Sequence, residues 1–244
     1  MLSDRSILVT GGSSGIGREL VRQYAARGAR VLTTARREAA LAQTVEGLDP
    51  DRVFAVPADL GSRTGREAVI TGAERISPVD VVVHAAGALG PKATLADYPE
   101  AAWHEVFHIN MTTVHLLHQR LVPLLSPKAT IIGVSSSVGR TGRGGWGMYA
   151  ISKAALEGWL EVLADEWPGR VYSVNPGGTA TPMRAAAMPE EDPSTIPKPA
   201  DIMPIFLRLA RTDPAESTGE KFDARDFIDT DPWTAANGAD PQVG

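Results

Sequence analysis

The 244-residue chain is long enough to bury a sizeable core, and α/β folds of this size are routinely one unit. It is 43% hydrophobic and 22% charged with a net charge of −5, an ordinary globular balance that argues against a dedicated nucleic-acid binder. The absence of cysteine excludes disulfides, thiolate metal sites and cysteine nucleophiles. The first apolar run covers only residues 7–9, too short for a signal-peptide core, and no run approaches the roughly eighteen apolar residues that would span a bilayer. A cytoplasmic protein that binds neither nucleic acid nor membrane is expected.

The first strand candidate, residues 6–10, runs into a glycine cluster and then a helical pattern through about Arg27. Further β-branched runs stand at 30–34, 52–56, 79–83, 129–134 and 170–174, most of them separated by helix-like stretches. Continuous rather than alternating hydrophobicity marks strands buried on both faces, and helices between strands imply βαβ units. With right-handed crossovers, the expected fold is α/β: a doubly wound (Rossmann) parallel sheet with helices on both faces. One domain over 1–244 is expected, with a surface lid at about 182–199 and an irregular polar tail at about 226–244.

The turn after the first strand reads Thr10-Gly11-Gly12-Ser13-Ser14-Gly15-Ile16-Gly17. Glycines here allow backbone amides to approach a pyrophosphate, and a helix N-terminus favours its negative charge. The spacing is Gly-x-x-x-Gly-x-Gly rather than the usual dinucleotide fingerprint, so an ordinary glycine-rich turn is the competing reading. Nineteen positions beyond Gly17, where an acid would hold the ribose 2′-hydroxyl of NAD, stand Arg36 and Arg37. A guanidinium suits a 2′-phosphate, and two cations are otherwise unfavourable at a helix start, so NADP(H) is the expected cofactor.

Tyr149 and Lys153 lie four apart in an alanine-rich helical segment and so share a face. A tyrosine with an ordinary pKa near 10 is a weak acid-base catalyst at neutral pH, and a fixed ammonium beside it should lower that value. The pair makes sense as a proton donor to a carbonyl, although such pairs arise by chance in many helices.

Together the glycine turn and this pair make the chain resemble the short-chain dehydrogenase/reductase family over nearly its whole length. Thr10 to Gly17 is similar to the family's glycine motif, with Gly11, Ser13, Ser14, Gly15, Ile16 and Gly17 as cofactor residues. Asp59 and Leu60 resemble the segment that meets the adenine. His84-Ala85-Ala86-Gly87 stands where the family has Asn-Asn-Ala-Gly, which places Ala86 and Gly87 beside the cofactor. Pro176, Gly177, Thr179 and Thr181 match the segment that holds the nicotinamide, whereas the Asp-Gly-Gly of the family's last strand is present only as Phe222-Asp223-Ala224.

The resemblance implies a catalytic set of Asn110, Ser136, Tyr149 and Lys153. The family's serine precedes the tyrosine by thirteen positions, which selects Ser136 over Ser135 and Ser137. Ser136 would bond the substrate oxygen, Tyr149 deliver the proton, Lys153 tune the tyrosine and hold the nicotinamide ribose, and Asn110 position a water. The implied activity is hydride transfer between NADP(H) and a small carbonyl or alcohol. A catalytically silent NADP(H)-binding regulator and an oxidatively running alcohol dehydrogenase are the alternatives.

By resemblance the loop of residues 139–148 borders the substrate, where Trp146 is either an aromatic wall or simple packing, and Met183, Met188 and Ile196 suggest an apolar cover within the lid. Glu190, Glu191 and Asp192 read as a solvated charge run. His104, His108, His115 and His118 fall near one helical face, but without a completing carboxylate no metal site is expected. That helix and the one from Tyr149 carry Trp103, Leu117, Trp159 and Leu163 on faces expected to be exposed, which together with the resemblance suggests a homodimer or homotetramer.

Overall fold

The computed structural model describes residues 1–234. Seven parallel strands form one sheet in the order β3-β2-β1-β4-β5-β6-β7. They are β1 (Ser6–Thr10), β2 (Arg30–Ala35), β3 (Val53–Pro57), β4 (Val79–His84), β5 (Leu125–Val134), β6 (Arg170–Asn175) and β7 (Lys221–Asp223). The helices are α1 (Gly15–Ala26), α2 (Glu38–Val45), α3 (Arg63–Glu74), α4 (Glu100–Phe107), α5 (Thr113–Leu121), α6 (Ser137–Arg140), α7 (Gly147–Glu166), α8 (Pro182–Ala187) and α9 (Met203–Leu209).

The apolar runs bury both faces of the sheet because successive side chains alternate sides. On β1, Ile7 and Val9 join Val81, Val83, Ile132 and Val174 beneath α1 and α9. Leu8 points the other way, to Leu32, Val82 and Ile131 beneath α3, α5 and α7. Leu8 is paired in register with both Leu32 and Val82, so each core layer is continuous across the strands.

Strand β5 starts four residues before the expected Ala129. Leu125 pairs with Val79, and the register shifts between Val79 and Val81, so the polar residues before Ala129 still belong to the strand. Residues 182–199, expected as a surface lid, contain α8 and a short helical turn, Pro193–Thr195. Within the expected polar tail, Phe227, Ile228 and Trp233 pack on the core, so its described part is anchored. Residues 235–244 of that tail lie outside the described residues.

Two expectations about exposure are corrected. Leu117 and Leu163 are buried in the core of their own chain, at 1% and 8% exposure, which leaves only Trp103 exposed and Trp159 partly so. The four histidines do not share a face, because a π-helical turn, His108–Thr112, interrupts the helix and breaks the 3.6-residue register. His104 is exposed, His108 bonds the Gly61 carbonyl at 2.9 Å, and His115 accepts from the Trp159 indole at 3.3 Å. His118 is buried against the edges of Trp159 and Trp167.

His84, at the end of β4, is 2% exposed and meets Trp159 edge to face. Burial drives its pKa down to about 3. An unfolded histidine takes a proton near 6.5. The unfolded state therefore binds more protons between those values, and stability should be full above pH 6.5 and fall as pH drops toward 3. The cost should reach the order of a few kcal/mol. His84→Asn should shrink the acid loss of stability, read from urea midpoints between pH 7 and 4; identical losses in both proteins would refute this.

Candidate active site

Strands β1 to β3 wind outward in one direction and β4 to β7 in the other, so the sheet reverses between β1 and β4. Ligands of doubly wound sheets bind at the carboxyl ends of the strands beside such a reversal. A cavity of 360 Å³ lies there.

Its first wall is the glycine turn. Gly11, at φ +78°, has room for no side chain, because a Cβ would come within 2.8 Å of the Ala86 backbone. A Cβ on Gly17 would strike the Gly11 carbonyl oxygen at 2.3 Å. Thr10 ties this turn to β4, its hydroxyl accepting from the amides of Ala85 and Ala86 at 3.1 Å each. Residue spacing alone does not assign Thr10 that role. Gly15, at φ +53°, shapes the turn without lining the cavity.

Ser13, Ser14, Ile16 and Gly17 line the cavity beside Gly11. At the end of β2, Arg36 and Arg37 are exposed on its rim, and among the described residues neither forms an ion pair. Asp59 and Leu60 line the same end, and the Asp59 carboxylate accepts from the Gly61 amide at 3.0 Å. Ala86, Gly87, Pro176, Gly177, Thr179 and Thr181 line the middle.

The opposite end holds Ser136, Trp146, Tyr149 and Lys153, joined by Leu89, Met183 and Arg184. Trp146 and Tyr149 are 5.9 Å apart between ring centroids, and Lys92 sits 4.3 Å above the Trp146 ring. Of the three expected cover residues only Met183 lines this cavity; Met188 and Ile196 line a smaller 150 Å³ hollow behind α8. Arg184 was missed from sequence. It is held by Glu191 through two bonds of 2.5 Å, so Glu191 is no solvated charge but the partner of a cavity-lining cation. Asp192 accepts from the Ser194 amide at 2.8 Å and starts the next turn, so only Glu190 of that run is free of such a role among the described residues.

Tyr149 and Lys153 stand on successive turns of α7. Helix α7 can begin at Gly147, φ +46°, only because that residue lacks a side chain: a Cβ would meet the Tyr98 ring at 2.1 Å. Lys153 is buried and donates to the Val134 carbonyl at 2.7 Å. Burial pushes its pKa down to about 8, opposed by the Glu157 carboxylate one turn on. Its nitrogen lies 5.9 Å from the centroid of the Tyr149 ring. The expected depression of the tyrosine is absent here. Burial among Val138, Ala150 and Leu89 raises the Tyr149 pKa, and only the Ser136 hydroxyl works in the other direction.

Asn110 lies in the π-helical turn at 1% exposure and does not line the cavity. Its carbonyl oxygen accepts from the Ala88 amide at 2.7 Å, and its two N–H groups donate to the Ala88 carbonyl and the Ser152 hydroxyl, each at 2.9 Å. With both donors committed, this side chain braces the Gly87–Ala88 segment rather than offering a free N–H to water.

Fold and site thus define a nucleotide-binding oxidoreductase scaffold with a tyrosine-lysine pair at one end of its cavity. Residues 5–192 match the short chain dehydrogenase family, and the chain belongs to it. It is 41% identical over 235 residues to the oxidoreductase YciK of Escherichia coli, covering 92% of this chain and 93% of that protein. A short chain dehydrogenase from Shigella flexneri, solved in complex with NADP, superposes with a TM-score of 0.84 at 44% identity, over 92% of this chain and 98% of that one. A short chain dehydrogenase from Escherichia coli, solved with NADPH, gives the same TM-score and coverage at 42% identity. Among the described residues no helix is long and apolar enough to cross a membrane.

Proposed function

We propose that this protein is a cytoplasmic NADP(H)-dependent oxidoreductase that transfers a hydride between the nicotinamide and a small carbonyl or alcohol. The observation that carries the reading is one cavity with a side-chain-free glycine turn and exposed Arg36 at one end, and Ser136, Tyr149 and Lys153 at the other. The fit to NADP(H) is supported by the cradle at Gly11 and Gly17 and by two rim guanidiniums without an acidic partner among the described residues. It is supported too by the NADP and NADPH complexes of the two similar structures.

Gly11 to Gly17 would take the pyrophosphate, Arg36 and Arg37 the 2′-phosphate, and Pro176 to Thr181 the nicotinamide end. Bound there, the nicotinamide supplies a hydride to the carbonyl carbon. Tyr149 gives its phenolic proton to the carbonyl oxygen; burial alone holds its pKa above the ordinary value, so the charge of Lys153 beside the forming phenolate has to favour that transfer. Ser136 donates a hydrogen bond to the same oxygen as negative charge develops there. Lys153 holds the nicotinamide ribose and places positive charge beside the phenolate left behind. Asn110 keeps the Ala88 backbone fixed at the edge of this space.

Loss of absorbance by NADPH on a panel of aldehydes, ketones and diketones tests the reading, with the reverse reaction tested on alcohols. Turnover of any of them at a rate that depends on Tyr149 is expected. Tight NADPH binding with no turnover across the panel would favour a silent regulator instead.

We also propose that the chain self-associates as a dimer or tetramer, through α4, α5 and α7. Trp103 and Val162 are exposed there, at 38% and 58%. Light scattering at micromolar concentration should give a multiple of the monomer mass; a monomer mass refutes it.

A further inference from the structure

One buried carboxylate behind the cavity is left unused by the proposed chemistry. Glu157 follows Lys153 by one turn of α7 and is 5% exposed. Its Oε1 accepts from the Arg140 Nε of α6 at 3.2 Å and from the Ser173 hydroxyl of β6 at 2.6 Å. Its Oε2 faces the Lys221 ammonium of β7 at 3.2 Å. Arg140 continues the chain of contacts to β7, donating to the Asp223 carboxylate at 3.2 Å and the Phe222 carbonyl at 3.1 Å. Asp223 in turn accepts from the Asn175 side-chain amide, and the Asn175 carbonyl oxygen accepts from the Gly177 amide at 3.0 Å.

This network touches each piece of backbone that carries the reducing end of the cavity. Ser136 immediately precedes α6, Lys153 stands one turn before Glu157, and Gly177 belongs to the nicotinamide segment. Helix α6 also meets α7 at Lys153 so closely that a Cβ on Gly139 would lie 2.7 Å from the Lys153 Cβ. The contact and the ion pair together set the register of Ser136 against Lys153. A buried pair broken on one side leaves an uncompensated charge, so the arrangement holds only while both partners are present.

We propose that Glu157 is a positioning residue of the active site: through Arg140 it fixes the Ser136 segment against Tyr149 and Lys153, and one turn along α7 it stands as the acidic neighbour of the Lys153 ammonium. The inference rests on the NADP(H) reading above. The charged and titratable groups around Lys153 are Tyr149 and Glu157 on its own helix, His84 on β4, Arg140 on α6, and Lys221 with Asp223 on β7. His84 is held neutral by burial, and Glu157 is the first acidic side chain after Lys153 along α7. Burial opposes charge on Glu157, yet the serine hydroxyls, Arg140 and Lys221 outweigh it and keep the carboxyl below its usual range.

The test follows NADPH affinity by fluorescence, and reductive kcat/KM, from pH 6 to 10. In the unaltered protein both should fall as Lys153 loses its proton near 8. Glu157→Gln keeps a similar shape but removes the charge, and the alkaline limb should move down by about half a pH unit or more. Glu157→Asp should restore part of that shift. Lys221→Gln, on a side chain 37% exposed and so tolerant of change, removes a cation and should move the limb up. A purely structural role would lower melting temperature and leave both limbs in place. Unmoved limbs in folded Glu157→Gln, or in Lys221→Gln if the first fails to fold, overturn the inference alone. Shifted binding limbs with no carbonyl turnover support it while overturning the reductase reading, and absence of NADPH binding in the unaltered protein overturns both.

Discussion

Tyr149→Phe is expected to bind NADPH nearly as well as the unaltered protein and to turn over carbonyl substrates roughly 10² to 10⁴ times more slowly, the range that general acid catalysis supplies. The ring remains packed with Val138 and Ala150 and against Trp146, so only the phenolic O–H is lost. Ser136→Ala should lower turnover more than cofactor affinity. Its effect combined with Tyr149→Phe should fall well short of additive, because both hydroxyls act on one substrate oxygen. Lys153→Ala should damage affinity and turnover together, since the buried ammonium serves both. Steady-state kinetics beside fluorescence titration separate these outcomes. Near-normal turnover by Tyr149→Phe would remove the tyrosine from the mechanism.

The second large effect concerns cofactor choice. Arg36→Asp should reverse a preference for NADPH into one for NADH. The exposed guanidinium at the end of β2 has no acidic partner among the described residues and is free to pair with a 2′-phosphate. A charge-assisted bond of this kind contributes roughly 1.5–3 kcal/mol, on the order of ten- to hundredfold in affinity. An aspartate at the same place repels the phosphate and can accept from the 2′- and 3′-hydroxyls of NADH. Titration of both proteins with both cofactors reads the result. Equal affinity of the unaltered protein for NADPH and NADH would rule out the assignment.

Six strands of the sheet were legible in the sequence to within four residues at their ends, because strands buried on both faces must be apolar throughout and are bounded by glycine and polar turns. The seventh, β7, is three residues long with only Phe222 partly buried, too short for an apolar run and visible only through resemblance. The glycine turn was legible for a different reason. At Gly11 and Gly17 a single Cβ would collide with backbone, and residue type there is dictated locally.

Long-range contacts could not be read in the same way. Tyr149 and Lys153 are neighbours by helical spacing alone, but the pKa of each depends on what α7 is packed against. The chain alone suggested a tyrosine made more acidic by lysine; burial among apolar groups raises it, and the lysine is turned toward the Val134 carbonyl. The histidine face was lost to one π-helical turn that no periodicity announces. Leu117 and Leu163, expected outside, are inside because the helices carrying them lie on the sheet.

Sequence by itself therefore determined the order of elements, the residue types at the cofactor turn and the pairing of tyrosine with lysine, since each follows from local sterics or from spacing within one element. Only the tertiary structure decided which charges meet: Glu191 with Arg184, and Glu157 with Arg140 from a helix seventeen positions away. Charge pairing and desolvation depend on distances between elements, and those are fixed by how helices pack on the sheet rather than by any residue's neighbours in the chain.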